Sequence, residues 1–218
     1  MKRRTLDIAF SVGGLLFGVL LLVLGLVLTN QANFAEDYVT EQLSEQQISF
    51  TPAEALSEEE AASACLVEFA GTPLDSGAKA ECYANDYIAL HMRESATGAG
   101  YEGATYATLG GVQREIRAEL QAATDAGDPT EEIQGRLDAV NGLRETMFKG
   151  DTLRGLLLTT YGFSIFGERA ALAATIVYIF AAVMVLLAIA GLVHAFTTKK
   201  DETVLFVAHE PVREPVTV

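Results

Sequence analysis

The chain has 218 residues, half of them apolar, no Trp, and a net charge of −14 from 29 acidic and 15 basic residues. Such acidity repels phosphate backbones and anionic headgroups, which argues against nucleic acid and against direct binding to anionic lipid. The apolar residues gather in two long uncharged runs, which sets the chain apart from an ordinary soluble domain.

The first run, Ile8 to Thr29, follows Lys2, Arg3 and Arg4 and holds no charge over about 22 residues. At about 1.5 Å per helical residue it crosses a hydrocarbon core of about 30 Å. A basic start also suits a signal peptide, but those apolar cores run roughly 7–15 residues and end at a small-x-small site. Here the run is longer and the exit, TNQANFAEDY, is a poor cleavage context. The sequence favours a retained anchor. Gly14 and Gly18 form a GxxxG, the spacing that lets helix backbones approach closely.

The middle of the chain is punctuated as a helical bundle. Ser57 and Glu60 have capping-box spacing and open a helix through AASACLVEFA, stopped by Gly71 and Pro73. Asp75 and Ser76 open the next, on which Tyr83, Tyr87 and Leu90, with Ala84, Ile88 and His91 beside them, recur at helical spacing. That helix is expected to fail at the glycine-rich stretch from Gly98 to Gly111. A third helix is expected from Val112 to about Ala123, with Ile116 and Leu120 on one side. Asp128 as N-cap, Pro129 at the first position and Glu131 at the third predict a further helix, continued by Ile133, Leu137, Val140 and Met147 and ended by Gly150. No segment alternates with period two, so no sheet is expected.

Asp151 is expected to cap a lead-in helix over 151–167, too short and too charged at Arg154 to be a span of its own. A bend at Gly162 or Gly167 would feed it into the second span, Ala170 to Phe196, which holds no Lys, Arg, Asp or Glu and is rich in Ala. The tail from Thr197 carries two prolines and no helical period; Thr203 to Ala208 has the composition of a short strand, flexibility being the simpler reading.

Lys2, Arg3, Arg4, Lys199 and Lys200 flank the outer ends of the two runs, and positive charge near short loops marks the cytoplasmic side. The expected layout is a plasma-membrane protein with residues 1–7 and 197–218 cytoplasmic, spans at 8–29 and 170–196, and residues 30–169 outside. That outer segment holds 24 acidic and 9 basic residues, a net of −15. Cys65 and Cys82 both lie there, where an oxidising compartment favours a disulfide; two separate thiols are the alternative. The expected fold is all-α: two transmembrane helices around an extracytoplasmic helical domain.

The chemistry is sparse. Of three histidines only His91 is in the outer segment, while a non-haem iron oxygenase takes two His and a carboxylate and a catalytic zinc usually three protein ligands. His91, with Tyr83 and Tyr87, is the one candidate polar site, and a hydrogen-bonded core histidine is its plainer reading. There is no G-x-S-x-G elbow, no C-x-x-C and no P-loop ending, so no catalytic residue, metal or cofactor is expected. Neither span holds an interior ionisable group that would mark an ion path. Gly14 and Gly18 either seat the chain's own second span or a partner or second copy.

Tyr83-Ala84 through Ile88 and His91, then Thr105-Tyr106-Ala107, then FKGDTLRGLLLTTYGFSIFG resemble a group of actinobacterial two-span membrane proteins with a small extracytoplasmic domain. The likeness covers residues 1–200 loosely and 80–170 best. Members often carry the label "aromatic ring-opening dioxygenase", without catalytic residues to carry over, and the histidine count conflicts with that activity. The expectation is a non-enzymatic accessory or assembly subunit that meets other membrane proteins or itself. The alternatives are an extracytoplasmic sensor of an unknown small molecule working through a separate transducer, and, last, the labelled dioxygenase.

Overall fold

The computed structural model describes residues 2–199; the expectations for Lys200 and for Thr203 to Ala208 lie outside them. It is all-helical, with two long apolar helices. In chain order these are α1 (Arg3–Ser44), a 3-10 turn (Ala53–Ala55), α2 (Glu58–Ala61), α3 (Ala64–Glu68), α4 (Gly77–Cys82), a π-helical segment (Tyr83–Ile88), α5 (Ala89–Gly98), α6 (Tyr106–Ala126) and α7 (Glu131–Thr197). The described residues hold no strand, only an isolated antiparallel bridge between Ser49 and Pro73. The chain divides into two compact units, Met1–Gln31 with Arg169–Val218, and Ala32–Glu168.

In the first unit α1 and α7 pair antiparallel through small residues. Ser11, Gly18 and Gly25 are buried on α1, and Ala174, Ala181, Ala188 and Ala195 on α7, each set repeating every seventh position. A seven-residue period keeps one seam facing its partner in a left-handed coil. A Cβ at Gly14 would lie 3.6 Å from Met184 and 3.7 Å from Ala188, and one at Gly18 3.0 Å from Val185. At Gly25 it would meet the Tyr178 ring at 2.5 Å. The Tyr178 hydroxyl in turn lies 3.1 Å from that of Thr29. At the other end of the pair His194 Nδ1 lies 3.0 Å from Asp7 Oδ2. Large apolar side chains such as Phe10, Leu16, Phe180 and Leu186 point outward from both helices.

In the second unit, one core gathers Val39, Leu43, Phe50, Leu66, Leu74, Ala80, Ala84 and Leu157. A second gathers Ala96, Leu109, Leu143 and Met147 where α5, α6 and α7 meet. Burying each of the large apolar side chains among them, Val, Leu, Met or Phe, contributes roughly 1.5–3 kcal/mol. Arg144 ties α6 to α7: Nη1 donates to Gln113 Oε1 at 2.6 Å, and the guanidinium lies 4.5 Å from the centre of the Tyr106 ring. Arg136 adds a 2.8 Å pair with Glu119.

Several expected boundaries move. The capping box at Ser57 forms, but the helix it opens ends at Ala61, because Ser63 turns extended and caps a new helix through the Leu66 N–H. Ser76 caps α4 as expected. The expected glycine loop is only half a loop: Thr105 and Thr108 form a capping box, so α6 starts at Tyr106 and takes in Gly110 and Gly111. Asp128 does not cap α7; its N–H returns to the Ala123 carbonyl behind Gly127, which sits at φ +75°, and the Thr130 carbonyl accepts the first bond of α7.

The largest correction concerns the lead-in helix over 151–167. It is not a separate element: α7 is one helix of 67 residues, unbroken at Gly150, Asp151, Gly162 and Gly167. Gly150 keeps a negative φ, and the space of its missing side chain is filled by Met92. Gly167 serves the same purpose for Ala35, whose Cβ would lie 2.8 Å from an added one. These glycines permit close packing and end nothing. α1 likewise continues beyond the expected span end, burying Ala32, Ala35, Val39 and Leu43 along one face.

Candidate functional site

The site is built around the π-helical segment. Between α4 and α5 the backbone widens, and the Ala89 N–H reaches the Ala84 carbonyl five residues back. Such segments insert one residue into a helix and recur at functional sites. The Ala84 carbonyl also accepts the Arg154 Nε–H at 3.0 Å, and Arg154 Nη2 reaches Asn85 Oδ1 at 3.4 Å. An arginine from α7 thereby holds the widened turn.

The three residues singled out in the sequence come together there. The Tyr83 and Tyr87 rings stack with centroids 4.5 Å apart, and the His91 ring lies 4.3 Å from Tyr87, tilted by 40°. His91 Nδ1 lies 2.8 Å from the Tyr87 carbonyl, which can only accept, so Nδ1 carries the proton. Nε2 faces Glu60 Oε1 at 3.8 Å, longer than a hydrogen bond. Glu60 is only 5% exposed, and its other oxygen accepts the Ser57 N–H at 2.8 Å. Burial, then the adjacent Tyr87 hydroxyl, then the Glu60 charge push the Tyr83 hydroxyl up to about 12.

Glu60 and Arg154 were not singled out in the sequence. The capping-box signal marked Glu60 as a helix-start residue, which it is, but not that the same carboxylate would be buried against His91. Nothing in the sequence marks a π-helical turn, so Arg154 carried no signal beyond being a lone cation in an apolar run.

Cys65 and Cys82 form a disulfide, with Cα atoms 6.1 Å apart, that staples α3 to the end of α4. Asp86 Oδ2 lies 3.3 Å from Cys65 Sγ. The three side chains cluster as metal ligands would, but two sulfurs bonded to each other offer no thiolate. This corner therefore does not fit a metal.

Besides the hollow at the disulfide lined by Asn85 and Asp86, two cavities lie beside the segment. One, of about 260 Å³, has Tyr83, Tyr87 and Ile88 on one wall and Leu43, Leu153 and Leu157 on the other, with Gln46 and Thr160 as its polar groups. A second, of about 290 Å³, lies beyond Ala89 and carries the side chains of Arg93, Asp151 and Arg154. The first is lined mainly by apolar side chains, and the second sets two arginines and one aspartate beside the apolar Ala89, Met92, Ala104 and Met147. The aromatic ladder is internally bonded, and its histidine has both ring nitrogens directed at protein groups.

No family model, curated protein or solved structure matches the chain.

Proposed function

We propose that this is a plasma-membrane protein that crosses the bilayer twice, with both termini cytoplasmic and residues 30–169 outside, working as a non-enzymatic accessory or assembly subunit of an envelope complex. The antiparallel pairing of α1 and α7 supports a hairpin that returns the chain to the side it left. Basic residues at the N-terminus and at Lys199 support the cytoplasmic placement of that side. We relate it to the actinobacterial two-span group on the motifs around Tyr83, Tyr106 and Gly150.

The observation that carries the accessory role is an apolar stripe on α7, on the part within the acidic unit. Phe148, Leu156, Phe163 and Phe166 are 55, 62, 39 and 76% exposed and recur at helical spacing. A solvated domain rarely leaves such a row uncovered, and exposed apolar rows of this kind mark interaction surfaces. The partner is another membrane protein or a second copy. A photo-crosslinking residue at Phe166, activated in native membranes, should trap one discrete protein; adducts to lipid alone would sink the reading.

A second reading is an extracytoplasmic sensor, favoured by the two cavities beside the π-helical turn. Thermal shifts of the full chain with a panel of cations and small solutes distinguish it from the first. The labelled dioxygenase activity is weaker than either. The outer segment supplies one histidine, so stoichiometric iron in the purified protein would be the result that restores it.

A further inference from the structure

The cavity between α5 and α7 has a charge pattern at odds with its surroundings. The outer segment is strongly acidic, with only 9 basic residues. Of these, Lys79, Arg136 and Lys149 are each paired with a carboxylate at 2.8 Å. Arg93 and Arg154 instead line one cavity of about 290 Å³, with a single acid, Asp151. Arg93 makes no hydrogen bond or ion pair among the described residues. Arg154 donates its Nε–H to the Ala84 carbonyl and one Nη2 hydrogen to Asn85 Oδ1 at 3.4 Å, and meets Asp151 through Nη1 only at 3.8 Å, so of its five donors those of Nη1 and the second hydrogen of Nη2 remain. The floor is apolar, formed by Met92, Met147 and Ala104.

We propose that this cavity binds a small monocarboxylate, its carboxylate held by Arg93 and Arg154 and its apolar body lying on the two methionines. Two guanidinium groups recognise a planar carboxylate through paired N–H donors. The one aspartate leaves a local charge of about +1, which suits a monoanion better than a phosphate dianion. At about 30 Å³ per water, the space is that of roughly ten waters, enough for a ligand of about eight to ten heavy atoms. Methionine supplies a soft, adaptable surface for its chain. The assignment does not depend on the accessory role, since it concerns what the single chain binds.

The test uses the full chain in lipid nanodiscs, with hexanoate as the probe and hexanamide as its uncharged match, read by isothermal titration calorimetry. Hexanoate is expected to bind saturably with a dissociation constant below about 1 mM, and hexanamide at least about tenfold more weakly. Arg93→Gln, at an exposed side chain with no internal bond, should weaken hexanoate about tenfold with an unchanged Tm. Ala104→Leu, which fills the floor, should abolish binding while the unit stays folded by circular dichroism. Equal binding of hexanoate and hexanamide, no saturable binding, or an Arg93→Gln variant that binds as wild type would each overturn the proposal.

Discussion

Breaking the Cys65–Cys82 bond tests both the fold and the compartment. The bond joins positions 17 apart, across the break between α3 and α4. In the chain-entropy account, closing a loop of that length removes freedom from the unfolded chain worth about 3 kcal/mol. In a unit of this size each kcal/mol moves the midpoint by roughly 3 °C, so reduction should lower Tm by about 10 °C. The measurement is a circular-dichroism melt of the full chain in nanodiscs, with and without a phosphine reductant, reduction being verified by intact mass after alkylation. A Cys65→Ala/Cys82→Ala variant should melt within about 3 °C of the reduced protein, since Cys82 is buried and loses one sulfur's packing. A verified reduction that shifts Tm by less than about 2 °C would refute the loop argument. Thiols already open to alkylation in untreated membranes would refute the oxidising compartment as well.

Replacing Leu109, fully buried at the meeting of α5, α6 and α7, with Ala should cost about 2–5 kcal/mol in a denaturant melt. A Cys introduced at exposed Gln121 should react with a membrane-impermeant maleimide on intact cells, and labelling only after lysis would reverse the proposed orientation. Tyr83 should ionise near pH 12 in an absorbance titration at the phenolate band, after the exposed tyrosines. Because its folded value is raised, its contribution is complete below about pH 10, the ordinary value, and is lost as pH climbs toward 12. Tyr83→Phe should remove that late step. Gly25→Leu places a side chain where the Tyr178 ring sits, and should destabilise the α1–α7 pair by roughly 1–3 kcal/mol, read as a lower melting midpoint in detergent.

What the sequence made legible follows from which signals are local. The two apolar helices, the Ser57 capping box, the Ser76 cap and the i, i+4 row of Tyr83, Tyr87 and His91 each need only neighbours within one or two turns. Their geometry in the structure follows directly. Glu60 facing His91, Arg154 reaching the Ala84 carbonyl and Met92 filling the space at Gly150 join residues about 30 to 70 positions apart. Such pairings are fixed by tertiary packing, which one sequence does not display.

The misread glycines show the same division in a form that carries further. Glycine ends a helix when the chain must turn left-handed, as Gly127 does at φ +75°. It also stays inside a helix when another backbone or side chain must come within the radius of a Cβ. The helical interior then bears a cost of roughly 1 kcal/mol per glycine, offset by what packs there. In α7, Gly150 admits Met92 and Gly167 admits Ala35, whereas Gly155 and Gly162 have nothing within 4 Å of an added Cβ. The two pairs should therefore respond oppositely to alanine. Gly155→Ala and Gly162→Ala gain helix propensity without a clash and should raise stability by about 0.5–1 kcal/mol each. Gly150→Ala must displace Met92, and Gly167→Ala must part α7 from Ala35, so both should destabilise. Four melts of single variants would measure this, and four changes of the same sign would mean that glycine in α7 acts through backbone entropy alone.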